Sequence, residues 1–290
     1  VQRAVLRVGT ELATRQERSA QQAWQAAKPP KMEVDRPPKR LYISVDGTTA
    51  HLQDGWKEVK VAAIYETEPI LQDDGTTVVR AVNITYVVSF ENAPTFARYV
   101  YLEAARRGLE QAKEVVVLGD GAEWIWNRIA RFCDRPVEIV DFYHASEHVW
   151  QVGQALYGEG TTQTEEWVTL RLEELLKEGA RSLLRSLWTV TGQASAEARE
   201  TVRREINYFS KHKERMRYPA LKDTGYHIGS GSVESACKRI IGARLKQAGM
   251  IWTPDGAEAM AQLRATILSE RWDEFWDSYD RTMRTYQKAA

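Results

Sequence analysis

The apolar positions of this 290-residue chain change rhythm several times. Val5, Val8 and Leu12 recur at helical spacing ahead of a glutamine- and alanine-rich stretch, which predicts a helix over residues 1–27. Pro29-Pro30 must end it, and "KPPKMEVDRPPKR" reads as an extended tether. Three β-rich runs follow: "RLYISVDGTT", closing on Asp46-Gly47, then "WKEVKVAAIYE" and, beyond an Asp73-Asp74-Gly75 turn, "VNITYVVSF". Runs of this kind with short turns between them predict an antiparallel meander. Asn92 is placed to cap a helix through "APTFARYVYLEAARRGLEQA". In "EVVVLGDGAEW", Val115, Val116, Val117 and Leu118 leave neither face polar, the pattern of a buried, parallel, central strand. A helix with Trp124, Trp126, Ile129 and Phe132 leads to a fifth strand at "VEIVDFYH". The order βββ-α-β-α-β-α predicts an α/β fold, a mixed five-stranded sheet flanked by helices.

Beyond residue 150 the strand signal fades. Leu170, Leu172, Leu175 and Leu176 lead into Leu183, Leu184 and Leu187, and the segment reads as an all-α insertion. "GYHIGSGSVESACKRIIGARLK" returns to a loop that opens a helix at Ser232, and Thr253-Pro254 supplies an N-cap and first-turn proline for one more helix, ending near "LSERWDEFW". The expected division is an N-terminal helix and linker (1–39), a first core part (40–150), the insertion (151–224) and C-terminal core helices (225–290). Forty basic residues balance forty acidic ones, so overall charge points to no partner, although one basic face suffices for nucleic acid. The two cysteines, Cys133 and Cys237, share no short motif, which suits a reducing cytosol. No apolar run is long enough for a membrane span and no charged-then-apolar leader opens the chain. A first residue of Val1 suggests a piece of a longer or processed product.

Three acidic residues occupy similar places. Asp46 closes the first strand, Asp120 the fourth, and Glu234 opens a helix after the insertion, each beside small residues (Gly47; Gly119 and Gly121; Gly229, Ser230 and Gly231). Chemistry in open α/β sheets gathers at strand ends beside a change in strand order. Converging carboxylates repel unless cations lie between them, and hard oxygen ligands suit Mg2+ or Mn2+. Two such ions ~4 Å apart serve phosphodiester displacement. Taken singly, each acid has a plainer reading, as an Asp-Gly turn or a first-turn glutamate facing the helix dipole.

"YISVDGTTAHLQDGWKEVKVAAIYE", "VVLGDGAEWIWN" and above all "GSGSVESACKRIIGARLKQAGMIWT" resemble the DDE transposases of bacterial insertion sequences, specifically the ISKra type. The resemblance covers roughly residues 40–275. It implies an RNase H-like catalytic core with a helical domain inserted before the last acid, and Asp46, Asp120 and Glu234 as the ligands of two Mg2+ or Mn2+ ions. It further implies cleavage of element ends and strand transfer into target DNA, by a homodimer or higher assembly on DNA in the bacterial cytoplasm, at the nucleoid. Mutator-like and hAT-like transposases carry C/D-x-x-H after the strand that follows the second aspartate. Asp141 and His144 fall there, as auxiliary groups.

Two signals remain. Lys238, Arg239, Arg244 and Lys246 follow Glu234 on one predicted helix and are candidate DNA contacts, with Trp252 from the family-like block. "VRREINYFSKHKERMRYPALK" is a second basic stretch, with a solvated helix face as its plainer reading. Trp124, Trp126, Trp188, Trp272 and Trp276 are expected in the core. His144, Glu147 and His148 also spell H-x-x-E-H, a zinc-protease pattern that Glu197, Glu200, Glu205 or Glu214 would complete. That reading leaves the three acids unexplained, and on the transposase reading His148 is dispensable. An RNase H-like nuclease or resolvase without strand transfer is the nearer alternative, and a non-enzymatic DNA-binding relic a further one.

Overall fold

The computed structural model describes residues 2–25, 34–75 and 77–279; the expected helix end at Pro29-Pro30 lies outside them. Helix α1 (Gln2–Gln25) precedes strands β1 (Arg40–Leu52), β2 (Gly55–Leu71) and β3 (Thr77–Ser89), which form the expected antiparallel meander. Helix α2 (Ala93–Arg106) begins where Asn92 accepts a hydrogen bond from the Thr95 amide at 3.0 Å, so the cap forms as expected. It stops at Arg106, short of the expected span, and Gly108 then takes a left-handed conformation. Strands β4 (Glu114–Gly119) and β5 (Val137–Val140) run parallel to β1, giving the sheet order β3-β2-β1-β4-β5. This mixed sheet with helices on its faces is an RNase H-like α/β fold.

Burial along β1 explains where that fold opens. Leu41 to Val45 are all buried, as in a strand covered on both faces, and from Asp46 onward more and less exposed positions alternate. The change coincides with the end of the β1–β4 ladder at Val45↔Gly119. Contrary to the sequence expectation, Asp46 does not end its strand. β1 continues to Leu52 because β2 pairs with it along that whole length, and Asp46-Gly47 is strand rather than turn.

The helical stretch comprises α3 (Phe142–Tyr157), α4 (Thr162–Glu178), α5 (Ala180–Thr191), α6 (Ala196–His212) and α7 (Tyr218–Asp223). Helix α8 (Gly231–Ala236) continues through a π-helical turn, Cys237–Gly242, into α9 (Ala243–Leu245). Thr253 caps α10 (Pro254–Leu268) by accepting from the Gly256 amide. The final helix expected from sequence is two: α10 ends before Glu270, whose backbone is left-handed (φ 57°), and residues 272–279 form another. Trp188, expected in the core, is 61% exposed, whereas Trp126 is buried.

Helix α1 packs on α10 and α2. Gly9 sets its closest approach, since a Cβ there would lie 2.2 Å from the Ala259 carbonyl oxygen. We therefore expect Gly9→Ala to push the two helices apart and to cost about 1–3 kcal/mol, measurable by chemical denaturation. An unchanged unfolding midpoint would show that α1 does not hold this crossing.

Candidate functional site

The β1–β4 register brings two of the three acids together. Asp46 and Asp120 each follow a member of the last parallel pair, Val45↔Gly119, and lie side by side at the carboxyl end of the ladder. β1 pairs antiparallel with β2 on its other side, so this is also where the sheet changes direction. Asp46 accepts hydrogen bonds from the Gly47 amide at 2.7 Å and from the Cys237 thiol at 3.5 Å. Burial holds its carboxyl above the ordinary carboxylate range, and the Asp120 charge adds to the rise. The two donated hydrogen bonds and nearby His144 pull the other way. Asp120 Oδ1 accepts from the Ala122 amide at 2.8 Å, across a turn that needs Gly121 at φ 102°. Among the described residues neither acid forms an ion pair.

The helix bearing Glu234 packs on β1 and β2 beside this pair, and Cys237, three residues on, is what touches Asp46. The Glu234 carboxylate itself pairs with Lys238 Nζ at 2.6 Å. Among the described residues no three His, Cys, Asp or Glu side chains stand close enough together to hold a metal ion. Glu234 thus has a basic partner among the described residues, unlike the two aspartates. Its ion pair is open to solvent (side chains 48% and 74% exposed), and such pairs are worth about 0–1 kcal/mol, so little holds this carboxylate away. Two unpaired hard-oxygen ligands with a third on a loosely tied arm fit a divalent-cation site.

Asp141 has a different task. As N-cap of α3 it accepts from the Tyr143 amide (3.3 Å) and the His144 amide (3.1 Å). It also accepts from the Ser230 amide and the Ser230 hydroxyl, both at 2.7 Å. The Phe142 amide adds a bond to the Ile228 carbonyl. This buried carboxylate thus ties the β5–α3 corner to the loop that launches the Glu234 helix, with no lone pair to spare for a metal. His144 lies near enough for its charge to act on Asp46, and its Nδ1 is 3.4 Å from Glu147.

The H-x-x-E-H pattern does not build a zinc site. Of the four glutamates offered as a third ligand, Glu205 does reach His148, but directly, with Nδ1 to Oε2 at 2.5 Å and no room for an ion between them. His148, expected to be dispensable, is mostly buried, stacks on Tyr208 at 3.6 Å and partners a Glu205 that is 1% exposed. Tyr208 in turn donates to the Asp120 carbonyl oxygen at 3.0 Å. On the next turn of the helix, His212 is pushed down to about 4, first by burial and then by the Arg215 and Lys211 charges, so its imidazole is neutral. Sequence reasoning missed Tyr208, His212 and the contact of Cys237, and offered Glu205 only as a zinc ligand. The signal was there in the spacing of Glu205, Tyr208 and His212, which fall on one face of α6 among charged neighbours.

Basic residues divide into two groups. In "VRREINYFSKHKERMRYPALK", Lys211 pairs with Glu123 and Arg215 with Glu138, so part of this stretch fastens the insertion to the core. Lys238 is engaged by Glu234, and Lys246 donates to the Thr48 hydroxyl. Arg239 and Arg244 are exposed, and Arg264 from α10 joins them, donating through Nε to the Arg239 carbonyl at 2.8 Å. Burial first, and then the Arg244 and Arg239 charges, lower the Arg264 pKa. Trp252 extends the edge of β1, its amide donating to the His51 carbonyl, with an indole N–H that is buried and without a partner. The exposed apolar side chain beside it is Ile251.

The fold and these carboxylates define an RNase H-like α/β protein with an acidic site at the end of its β1–β4 ladder. Residues 2–272 match the uncharacterised protein family UPF0236, and the chain belongs to that family. No curated protein matches it. No helix among the described residues is long and apolar enough to cross a membrane.

Two substitutions test this arrangement. Asp141→Ala removes a cap and strands the buried Ser230 amide, so we expect a loss of about 2–4 kcal/mol in denaturant titrations; a loss under ~1 kcal/mol would refute the clamp. For Asp46 the sign comes from its raised folded pKa. Below the unfolded carboxyl's pKa of about 3.9 both states keep the proton and the group costs nothing. Between that value and the raised folded one the unfolded chain gives up its proton first, so stability falls as pH rises and the loss is complete once pH has passed the folded pKa. Metal-free Asp46→Asn should therefore melt higher than the parent at pH 7, and that gain should vanish in acid. A lower melting temperature at pH 7 would contradict this.

Proposed function

We propose that this chain is a DDE transposase catalytic region, cutting DNA at element ends and joining the freed strand to target DNA. The observation that carries the reading is the pairing of Asp46 and Asp120, unneutralised, each directly after the last pair of the β1–β4 ladder, with Glu234 on the helix laid beside them. Carboxylates in this position are costly to the fold unless a cation offsets them.

Asp46 and Asp120 would hold two Mg2+ or Mn2+ ions, with Glu234 completing the set once released from Lys238. When bound, such a pair activates an attacking oxygen and stabilises a leaving one. The chain's residues do the rest. The β1–β4 ladder fixes the spacing of the two aspartates, and Asp141 sets the approach of the Glu234 helix. Lys238, freed in the same exchange, can meet a backbone phosphate, as can Arg239, Arg244 and Arg264 further along. Their number predicts a salt-dependent affinity for DNA. His144, beside Asp46, is placed to orient the scissile strand. Lys246 and Trp252 lie at the β1 edge, where DNA would leave the site. On this reading the protein works in the cytoplasm at the nucleoid, as a dimer or larger assembly on paired ends.

The test uses the purified full chain with Mg2+ or Mn2+ and labelled duplexes from both flanks of its own coding sequence. The parent should nick and join them. Alanine at Asp46, Asp120 or Glu234 should lower the rate by about three orders of magnitude, since several kcal/mol of charge stabilisation is lost. Full activity in Glu234→Ala would overturn the triad, and nicking without joining would assign a nuclease or resolvase instead.

A further inference from the structure

The helical stretch reaches the acidic site through one face of α6, and that face is polar where helix packing is ordinarily apolar. Tyr208 lays its ring flat on His148 (3.6 Å, 20° between planes) and donates its hydroxyl to the Asp120 carbonyl oxygen. His148 is held by Glu205, which also accepts from Arg204. The turn carrying Asp120 is built to receive this ring: a Cβ on Gly121 would lie 3.1 Å from Tyr208 Cε2 and 3.2 Å from its hydroxyl oxygen. Burying a carboxylate, an imidazole and a phenol together is costly unless each is satisfied, and here each is, in an unbroken line from Glu205 to Asp120. Apolar side chains of the same volume would pack α6 onto α3 at least as well. Packing alone therefore does not account for the choice of residues. What the line does achieve is direction, because it ends on the backbone of one candidate metal ligand.

We infer that Tyr208 is a positioning residue, oriented by the His148–Glu205 pair, that fixes the Asp120 turn for cation binding and makes the helical insertion a working part of the site. The metal half of this statement rests on the proposed function; the positioning half does not. Any partner that shifts α6 would be felt at Asp120 through the same line.

Tyr208→Phe keeps the ring and deletes only the hydroxyl, and Glu205→Gln keeps the shape of the carboxylate while removing its charge. Two readouts on the full-length parent and both variants separate the two halves. Hydrogen exchange of the Gly121 and Ala122 amides, without metal, reports the turn, and Mn2+ titration followed by paramagnetic resonance reports the ligand. In Tyr208→Phe we expect exchange at the turn to quicken several-fold with an unchanged circular dichroism spectrum, and the half-saturating Mn2+ concentration to rise roughly tenfold, as for lost outer-shell partners. Glu205→Gln should move both in the same direction by less. Faster exchange with a parent that binds no Mn2+ would uphold the positioning and sink the metal reading. Unchanged exchange in Tyr208→Phe would overturn the inference, whatever the metal does.

Discussion

The parallel ladder between β1 and β4 is the constraint on which the candidate site depends. Its register, ending at Val45↔Gly119, decides that Asp46 and Asp120 are neighbours. A slip of one residue would turn one of them to the opposite face of the sheet. The ladder resists such a slip because Leu41 to Val45 and Val115 to Leu118 are buried, so any other register would drive apolar side chains out of the core. The same ladder stops where the cover on both faces stops. A carboxylate one residue further on is half-buried, which accounts for the raised Asp46 pKa, and still within reach of solvent. Core and site are thus one decision, made by the apolar pattern of two strands.

Around this fixed pair the remaining groups differ in how tightly they are held. Asp141 accepts four hydrogen bonds and joins two segments of chain far apart in sequence, so it behaves as a structural rivet. Glu234, at the end of the segment that Asp141 tethers, has an exposed lysine as its side-chain partner among the described residues. Two of the segments that follow a candidate ligand, Ile125–Ile129 after Asp120 and Cys237–Gly242 after Glu234, are π-helical. An extra residue in a turn rotates the rest of the helix, and such turns concentrate at functional sites. Here the second one carries Cys237 against Asp46 while Arg239 reaches α10.

What is legible in the sequence is what local chemistry decides. The Asn92 and Thr253 caps, the Gln72–Gly75 turn and the doubly apolar β4 all come from residue type and spacing, and the structure forms each of them. Asp46-Gly47 misleads because Asp-Gly favours a turn only where no neighbouring strand offers a ladder, and β2 offers one along its whole length. The break at Glu270 carries no glycine or proline to announce it. Charge is the least legible: Lys211, Arg215 and Lys238 each have a carboxylate partner distant in sequence or one turn away, and composition cannot pair them. Of the candidate site, the two aspartates stand together as expected. The third acid's engagement with Lys238, and the whole contribution of α6, depend on tertiary approach.

The D-x-x-H and H-x-x-E-H spellings overlap because one helix, α3, serves two neighbours. Its first turn is capped by Asp141, which holds the Ser230 loop, and carries His144 near Asp46. Its second turn faces the insertion, where His148 meets Tyr208 and Glu205. Residues three and four apart share a helix face, so groups that look inward on one turn are repeated on the next. Resemblance to a zinc motif is then a by-product of geometry: a helix that must offer hydrogen-bonding groups to two polar neighbours in succession places histidines one turn apart. The direct His148–Glu205 contact closes the zinc reading. The pair faces another helix, and the space a metal would need is closed by the carboxylate itself.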